Sequence, residues 1–179
     1  MRRQTALMDD NMLRASLFLV LLFLVGCATP QPTPTALPRV NVLPLALDDA
    51  FSFRKTILFH NSNTRPQTRN EFINARTKKI NYGAVDNIDY LARRGNYFTF
   101  YWRANRPSEL TVRLEYRTQK LGDYVQAREI SYTNASGTIK TEFAVIGDDY
   151  LSDGPINSWR AVLIEDGKIV ALTQSYLWN

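Results

Sequence analysis

The sequence predicts an all-β fold, an antiparallel β-sandwich over residues 47–179. Apolar and polar side chains alternate with a period of two from residue 110 to residue 117, which is typical of a strand with one buried face. Segments of this kind recur at intervals of roughly 8–12 residues and are separated by turn residues. Helical patterns in this region extend over only a few turns. These observations favour a sandwich or a barrel.

The first predicted strands follow one another along the chain. Phe51–Phe59 supplies one, and residues 97–102, with the sequence YFTFYW, supply the next. Aromatic and β-branched residues suit a pleated, half-buried surface. The alternating segment 110–117 is the third. Between the first two strands, residues 70–75 and 86–93 are each compatible with a short helix or a loop.

Two β-hairpins are predicted in the C-terminal half. In the first, segments 124–133 and 138–146 flank a short turn at residues 134–137, which contains a glycine suited to a positive φ. In the second, segments 159–165 and 168–178 flank Asp166-Gly167. An Asp-Gly pair between apolar segments is a strong signal for a tight hairpin turn.

This strand pattern, from about residue 95 to residue 179, resembles that of immunoglobulin and fibronectin type III domains. The resemblance implies an immunoglobulin-like sandwich. The Cys-Trp-Cys signature of antibody domains is absent, because the only cysteine, Cys27, lies far upstream.

The N-terminus carries a short apolar segment, residues 17–25, preceded by Arg14. A membrane-spanning helix needs roughly 20 apolar residues, so this segment is too short to cross a bilayer. A positive residue, a short apolar stretch and a small residue at its end are typical of a secretory signal peptide. We therefore expect residues 1–26 to be a signal peptide. Because Asp9 and Asp10 do not suit its positive start, translation from Met12 is an alternative.

The segment Leu24-Val25-Gly26-Cys27 resembles the lipobox of bacterial lipoproteins. The resemblance implies cleavage before Cys27 and attachment of a diacylglyceryl group to its thiol. Two acyl chains are enough for stable anchoring. The membrane is therefore an expected partner through the lipid on Cys27. By the same resemblance, Ala28 favours the outer membrane, with the domain facing the periplasm or the cell surface.

Residues 27–46 combine the lipidated cysteine with a proline-rich linker that contains five prolines. Proline fixes φ and lacks a backbone donor, so we expect an extended spacer without sheet or helix.

The charge is unevenly distributed. Residues 51–106 hold eleven basic and three acidic residues, a net charge of +8, whereas residues 107–179 hold seven basic and ten acidic residues, a net charge of −3. A basic region attracts anionic headgroups, acidic polysaccharide or an acidic protein face. For an exported protein we expect no nucleic-acid partner. The alternative is that these charges are only solvated faces of loops and strands.

Five residues are candidates for a binding surface: Tyr97, Tyr101, Arg103, Tyr116 and Trp178. Aromatic rings that share an exposed face stack on sugars or bury against a partner protein, although core packing is the alternative for residues of this size. The preferred function is a non-enzymatic binding or assembly module for another envelope protein or a glycan.

The alternative function is a lipid-anchored hydrolase that uses acidic residues of the loop 147–154, namely Asp148, Asp149 and Asp153. The single histidine, His60, has no nucleophile motif to accompany it. Nucleotide-binding glycine motifs are absent from the sequence, and one cysteine and one histidine are too few for the usual zinc sites. We therefore expect no cofactor and no metal.

Overall fold

The computed structural model of the protein describes residues 32–62 and 70–178. The predicted signal peptide 1–26, its lipobox residues and Cys27 lie outside the described residues.

The described residues form six strands and three helices. The strands are β1 (Thr35–Leu37), β2 (Phe51–Asn61), β3 (Gly95–Thr118), β4 (Gln126–Ile146), β5 (Ile156–Glu165) and β6 (Lys168–Gln174), and the helices are α1 (Glu71–Ile80), α2 (Asn87–Ala92) and α3 (Asp148–Asp153). Residues 70–75 and 86–93, for which the sequence allowed either a short helix or a loop, correspond to the helices α1 and α2. The fold is all-β, as predicted.

All six strands belong to one open antiparallel sheet, in which five follow the order β1-β4-β3-β5-β6 and β2 lies off this path, paired with β3. The long strands β3 and β4 pair along most of their length. At the other edge of β3, β2 pairs with residues 95–104 and β5 pairs with residues 111–118. The register of β3 against β4 shifts between Ala104 and Leu110, which is where the sheet passes from one half to the other.

The two halves of the sheet share one hydrophobic core. Phe98, Phe100 and Trp102 from the first half of β3 pack in the same cluster as Val112 and Leu114 from the second half. Contact between the two halves of β4 is direct as well, since Arg128 Nη1 donates a 2.7 Å hydrogen bond to the carbonyl oxygen of Ala144. The architecture is therefore sandwich-like. Its likeness to immunoglobulin domains stays a prediction.

The first predicted hairpin is wrong. Segments 124–133 and 138–146 belong to the single strand β4, and residues 134–137 bend it without ending it. Asn134 and Gly137 both have positive φ values, 54° and 77°, which explains why they looked like a turn. The second hairpin is confirmed, because Asp166 and Gly167 connect β5 to β6 with φ values of 48° and 72°.

The prediction of an unpaired spacer is wrong for residues 35–46, which we call the docked segment. β1 pairs with β4 through Thr35–Glu129 to Leu37–Ala127. Further along, Ala46 N donates to the carbonyl oxygen of Ile169 over 2.9 Å, and Ile169 N donates to that of Pro44 over 2.9 Å. Pro44 lacks an N–H but still provides its carbonyl oxygen as an acceptor, which is compatible with pairing at a sheet edge.

Candidate functional site

Two of the five candidate surface residues, Tyr97 and Tyr101, line one cleft. They lie on the face of β3 opposite Phe98 and Phe100, because successive side chains of a strand alternate. The cleft has a volume of about 310 Å³ and lies between this face and α1. That volume falls at the lower end of the range for small-molecule sites.

Three cross-strand pairs of β3 and β4 form the floor of the cleft. They are Tyr97–Ala144, Thr99–Glu142 and Tyr101–Lys140. Successive pairs on one face of a sheet lie about 7 Å apart, so the two tyrosines are separated by about 13 Å along β3. The polar pair Thr99–Glu142 therefore lies between two aromatic residues.

The helix α1 supplies a wall that carries positive charge. Its N-cap residue, Asn70, accepts hydrogen bonds from the backbone N–H groups of Phe72 and Ile73, which fixes the start of the helix. Arg76 and Lys79, in the second half of the helix, line the cleft. The basic residues of α1 thus lie at its C-terminal end, where the helix dipole favours them.

Arg76 is held in place by both polar and aromatic contacts. Its Nη2 donates a 3.0 Å hydrogen bond to Thr99 Oγ1, and its guanidinium carbon lies 5.7 Å from the centre of the Phe59 ring. Its Nε is buried and has no hydrogen-bond partner among residues 32–62 and 70–178. Arg76 is therefore a cation held in a fixed position at the wall of the cleft.

Glu142 stays ionised in the centre of the floor. Burial alone raises the pKa of its carboxyl, but a 2.8 Å ion pair with Lys140 and a 3.2 Å hydrogen bond donated by Thr99 outweigh that effect and hold the pKa below its ordinary value. The cleft therefore combines three cations, Arg76, Lys79 and Lys140, with one carboxylate.

Tyr97 is fixed at one end of the cleft. Its hydroxyl donates a 2.8 Å hydrogen bond to the carbonyl oxygen of Arg93. Burial raises the pKa of this phenol, although the charge of Arg93 opposes the shift, so Tyr97 remains neutral at physiological pH. Its ring packs 6.5 Å from the ring of Phe59. Tyr97 thus offers a rigid aromatic surface.

The other three candidates do not join this site. Arg103 is exposed on the same strand, beyond the residues that line the cleft. Tyr116 is only 2% exposed and belongs to the core, so its assignment to a binding surface is wrong. Trp178 is 7% exposed, with its ring 4.5 Å from the Arg117 guanidinium and 5.2 Å from that of Arg160. It holds the C-terminal residues against the sheet.

The sequence did not identify most of the polar residues of the cleft. Arg76 and Lys79 belonged to the basic region already noted, but no pattern linked them to a strand more than 15 residues away. Lys140 and Glu142 become neighbours of Tyr101 and Thr99 only through the register of β4 against β3. The predicted hairpin at 134–137 obscured that register.

Two of the three acidic residues of the loop 147–154 take part in structural contacts. Asp149 forms an ion pair with Arg128, and Asp153 accepts a 2.7 Å hydrogen bond from Gln126. Asp148 is exposed. The described residues contain no group of three or more histidine, cysteine or acidic side chains placed to hold a metal ion. No observation on this loop favours the hydrolase.

Within residues 32–62 and 70–178, no helix is both long enough and apolar enough to span a membrane. In comparisons with known proteins, no protein-family model, curated protein or solved structure matches the chain.

Proposed function

We propose that the protein is a lipid-anchored component of a bacterial cell envelope and that its β-sandwich is a non-enzymatic binding module. The α1 cleft, lined by Arg76, Tyr97, Tyr101 and Lys140, is its binding site. The anchor is the diacylglyceryl group on Cys27.

The anchor is supported by the sequence around Cys27, which precedes the first strand by only a few residues of the chain. Seven residues separate Cys27 from Thr35, the first residue of β1. Seven residues span at most about 25 Å when fully extended. The domain therefore operates close to the lipid surface, and its ligand is a component of the envelope within that reach.

The binding role is supported most directly by one observation: two tyrosines flank a charged centre in a cleft outside the hydrophobic core. Core packing does not need Arg76, Lys140 and Glu142 beside these rings. Concave sites that combine aromatic walls with a few convergent polar groups are typical of ligand binding.

Metabolic labelling tests the anchor. Cells given labelled palmitate should incorporate it into the wild-type protein, and Cys27→Ser should abolish both incorporation and processing. Labelling of the Cys27→Ser variant at the wild-type level would refute the anchor.

Photo-crosslinking in living cells tests the site. A photoreactive p-benzoylphenylalanine at position 101 should yield a discrete adduct with an envelope component. The same group at position 82 is the matched control, because Tyr82 is 87% exposed and does not line the cleft. Equal adducts at both positions, or none at position 101, would refute the proposed site.

A further inference from the structure

The α1 cleft has a composition that restricts its ligand. It holds three cations, Arg76, Lys79 and Lys140, against the single carboxylate of Glu142. The surplus positive charge favours an anionic ligand over a neutral one. Arg76 lines the cleft and is held on Thr99 by a 3.0 Å hydrogen bond, so its positive charge is fixed at the wall.

The carboxylate of Glu142 at the centre of the floor disfavours a compact dianion as the ligand. Glu142 is ionised and lies directly opposite Thr99. A phosphate group placed there meets a like charge, which disfavours it. A ligand that carries hydroxyl groups instead donates to the Glu142 carboxylate and exchanges hydrogen bonds with the Thr99 hydroxyl.

The spacing of the aromatic rings indicates an extended ligand. Tyr97 and Tyr101 are about 13 Å apart along β3, too far for one small ring to contact both. Aromatic faces pack well against the C–H faces of saturated rings, while the surrounding polar groups take the hydroxyls. The ligand therefore has more than one ring.

We propose that the α1 cleft binds an acidic oligosaccharide, a chain of sugar rings that bears carboxylates. The rings pack on Tyr97 and Tyr101, a carboxylate pairs with the cations of the wall and the floor, and hydroxyls bond to Glu142 and Thr99. This inference rests on the proposed binding function and names its ligand class.

Isothermal titration calorimetry of the mature, lipidated protein in detergent tests the ligand class. The probes are a panel of glucuronate and galacturonate trisaccharides, the matching neutral trisaccharides and inorganic phosphate. At least one acidic trisaccharide should bind saturably, about tenfold or more tighter than its neutral counterpart, with no saturable binding of phosphate. Equal binding of the neutral sugar, tighter binding of phosphate, or no binding of any acidic trisaccharide would overturn the inference.

Matched variants locate the binding. Tyr101→Ala and Lys140→Gln should each weaken the affinity about tenfold. Tyr82→Ala and Lys168→Gln remove the same residue types from exposed positions outside the cleft and should leave the affinity unchanged. Equal effects of both sets would place the sugar elsewhere.

Failure of the proposed ligand class and failure of the proposed binding function would give different results. If the position-101 adduct forms in cells but no acidic trisaccharide binds, the ligand class is wrong and the binding module stands. If no position-101 adduct forms, the proposed function itself fails.

Discussion

The Arg113 guanidinium on β3 donates a 3.0 Å hydrogen bond to the backbone carbonyl oxygen of Asn41. This contact ties the docked segment to the outer face of the sheet, on the side away from the main core. Nearby, Leu43 packs against a small apolar cluster on β5 and β6. Residues 35–46 therefore belong to the same compact unit as the sheet.

Leu43→Ala should lower the free energy of unfolding by about 1–2 kcal/mol, because Leu43 is partly buried against Val162, Ile164 and Ile169. Urea denaturation followed by circular dichroism measures this. Val42→Ala is the control, since Val42 is fully exposed, and it should change the stability little. Similar values for the two variants would mean that the segment is not docked.

The docked segment illustrates what the sequence could predict. The prolines of this segment led us to expect neither sheet nor helix, but proline does not prevent pairing at a sheet edge, where β1 lies. Strand identity was predictable from alternation, as for 110–117, and the Asp166-Gly167 turn was predictable from residue type. The length of β4 was not predictable from the sequence. Residues 134–137 bend the strand with positive φ values at Asn134 and Gly137, and a hairpin turn would use the same residue types.

The same limit applies to the candidate site. Tyr97 and Tyr101 could be proposed from residue type alone, whereas Tyr116 belongs to the apolar side of the alternating segment 110–117 and lies in the core. Even-numbered residues of β3 face the core in both halves of the strand, from Phe98 to Tyr116, so alternation alone separates Tyr116 from Tyr97 and Tyr101. The sequence could not supply the register of β4 against β3, which places Lys140 and Glu142 in the cleft.

A buried ion network on β3 should be sensitive to loss of one charge. Glu115 is 2% exposed and pairs with Arg160 at 2.5 Å and with Arg113 at 3.5 Å. Glu115→Gln should cost about 2 kcal/mol or more, because it leaves Arg113 partly uncompensated in a buried position. Glu109→Gln, at an exposed position, is the control in the same denaturation experiment. A loss below about 0.5 kcal/mol would show that the network is solvated.

Trp178→Ala should destabilise the fold by about 3 kcal/mol, since it removes a buried indole and its contacts with Arg117 and Arg160. Thermal unfolding compares it with Tyr176→Ala, which removes a 96% exposed ring two residues away. If both variants lowered the melting temperature equally, the proposed role of Trp178 would be wrong.

Gly95→Ala should prevent folding or cost at least about 3 kcal/mol. Gly95 has a φ of 142°, and an added Cβ would lie 2.2 Å from the carbonyl oxygen of Val145. The control is Gly122→Ala, whose φ is 59° but whose added Cβ meets nothing within 4 Å. It should cost only about 1–2 kcal/mol from the backbone conformation. The reverse order of the two costs would contradict the close approach of β3 and β4.

The stability should fall as the pH drops through the histidine range. His60 Nε2 lies 2.8 Å from the Tyr150 hydroxyl, and burial, aided by the charge of Arg94, lowers the pKa of His60 below its ordinary value. The unfolded state therefore binds a proton at higher pH than the folded state does. Stability contributed by neutral His60 is complete above the unfolded pKa of about 6.5 and is lost toward the folded pKa.

Denaturation of the wild type and of His60→Asn from pH 8 to pH 5 checks this. The difference in stability between them should change in this window, with the wild type losing relatively more on acidification. Because the His60 ring is partly exposed, the change should be small. A parallel pH profile for the two proteins would rule out the assignment.

The central claim, that the protein binds an envelope component through the α1 cleft, is tested most directly by hydrogen–deuterium exchange of the purified protein with and without isolated envelope fraction. Protection should concentrate in α1 and in residues 97–101 and 138–144, with no change in β6. Protection confined to α3 or to the loop at residues 119–125, with α1 unchanged, would contradict the account.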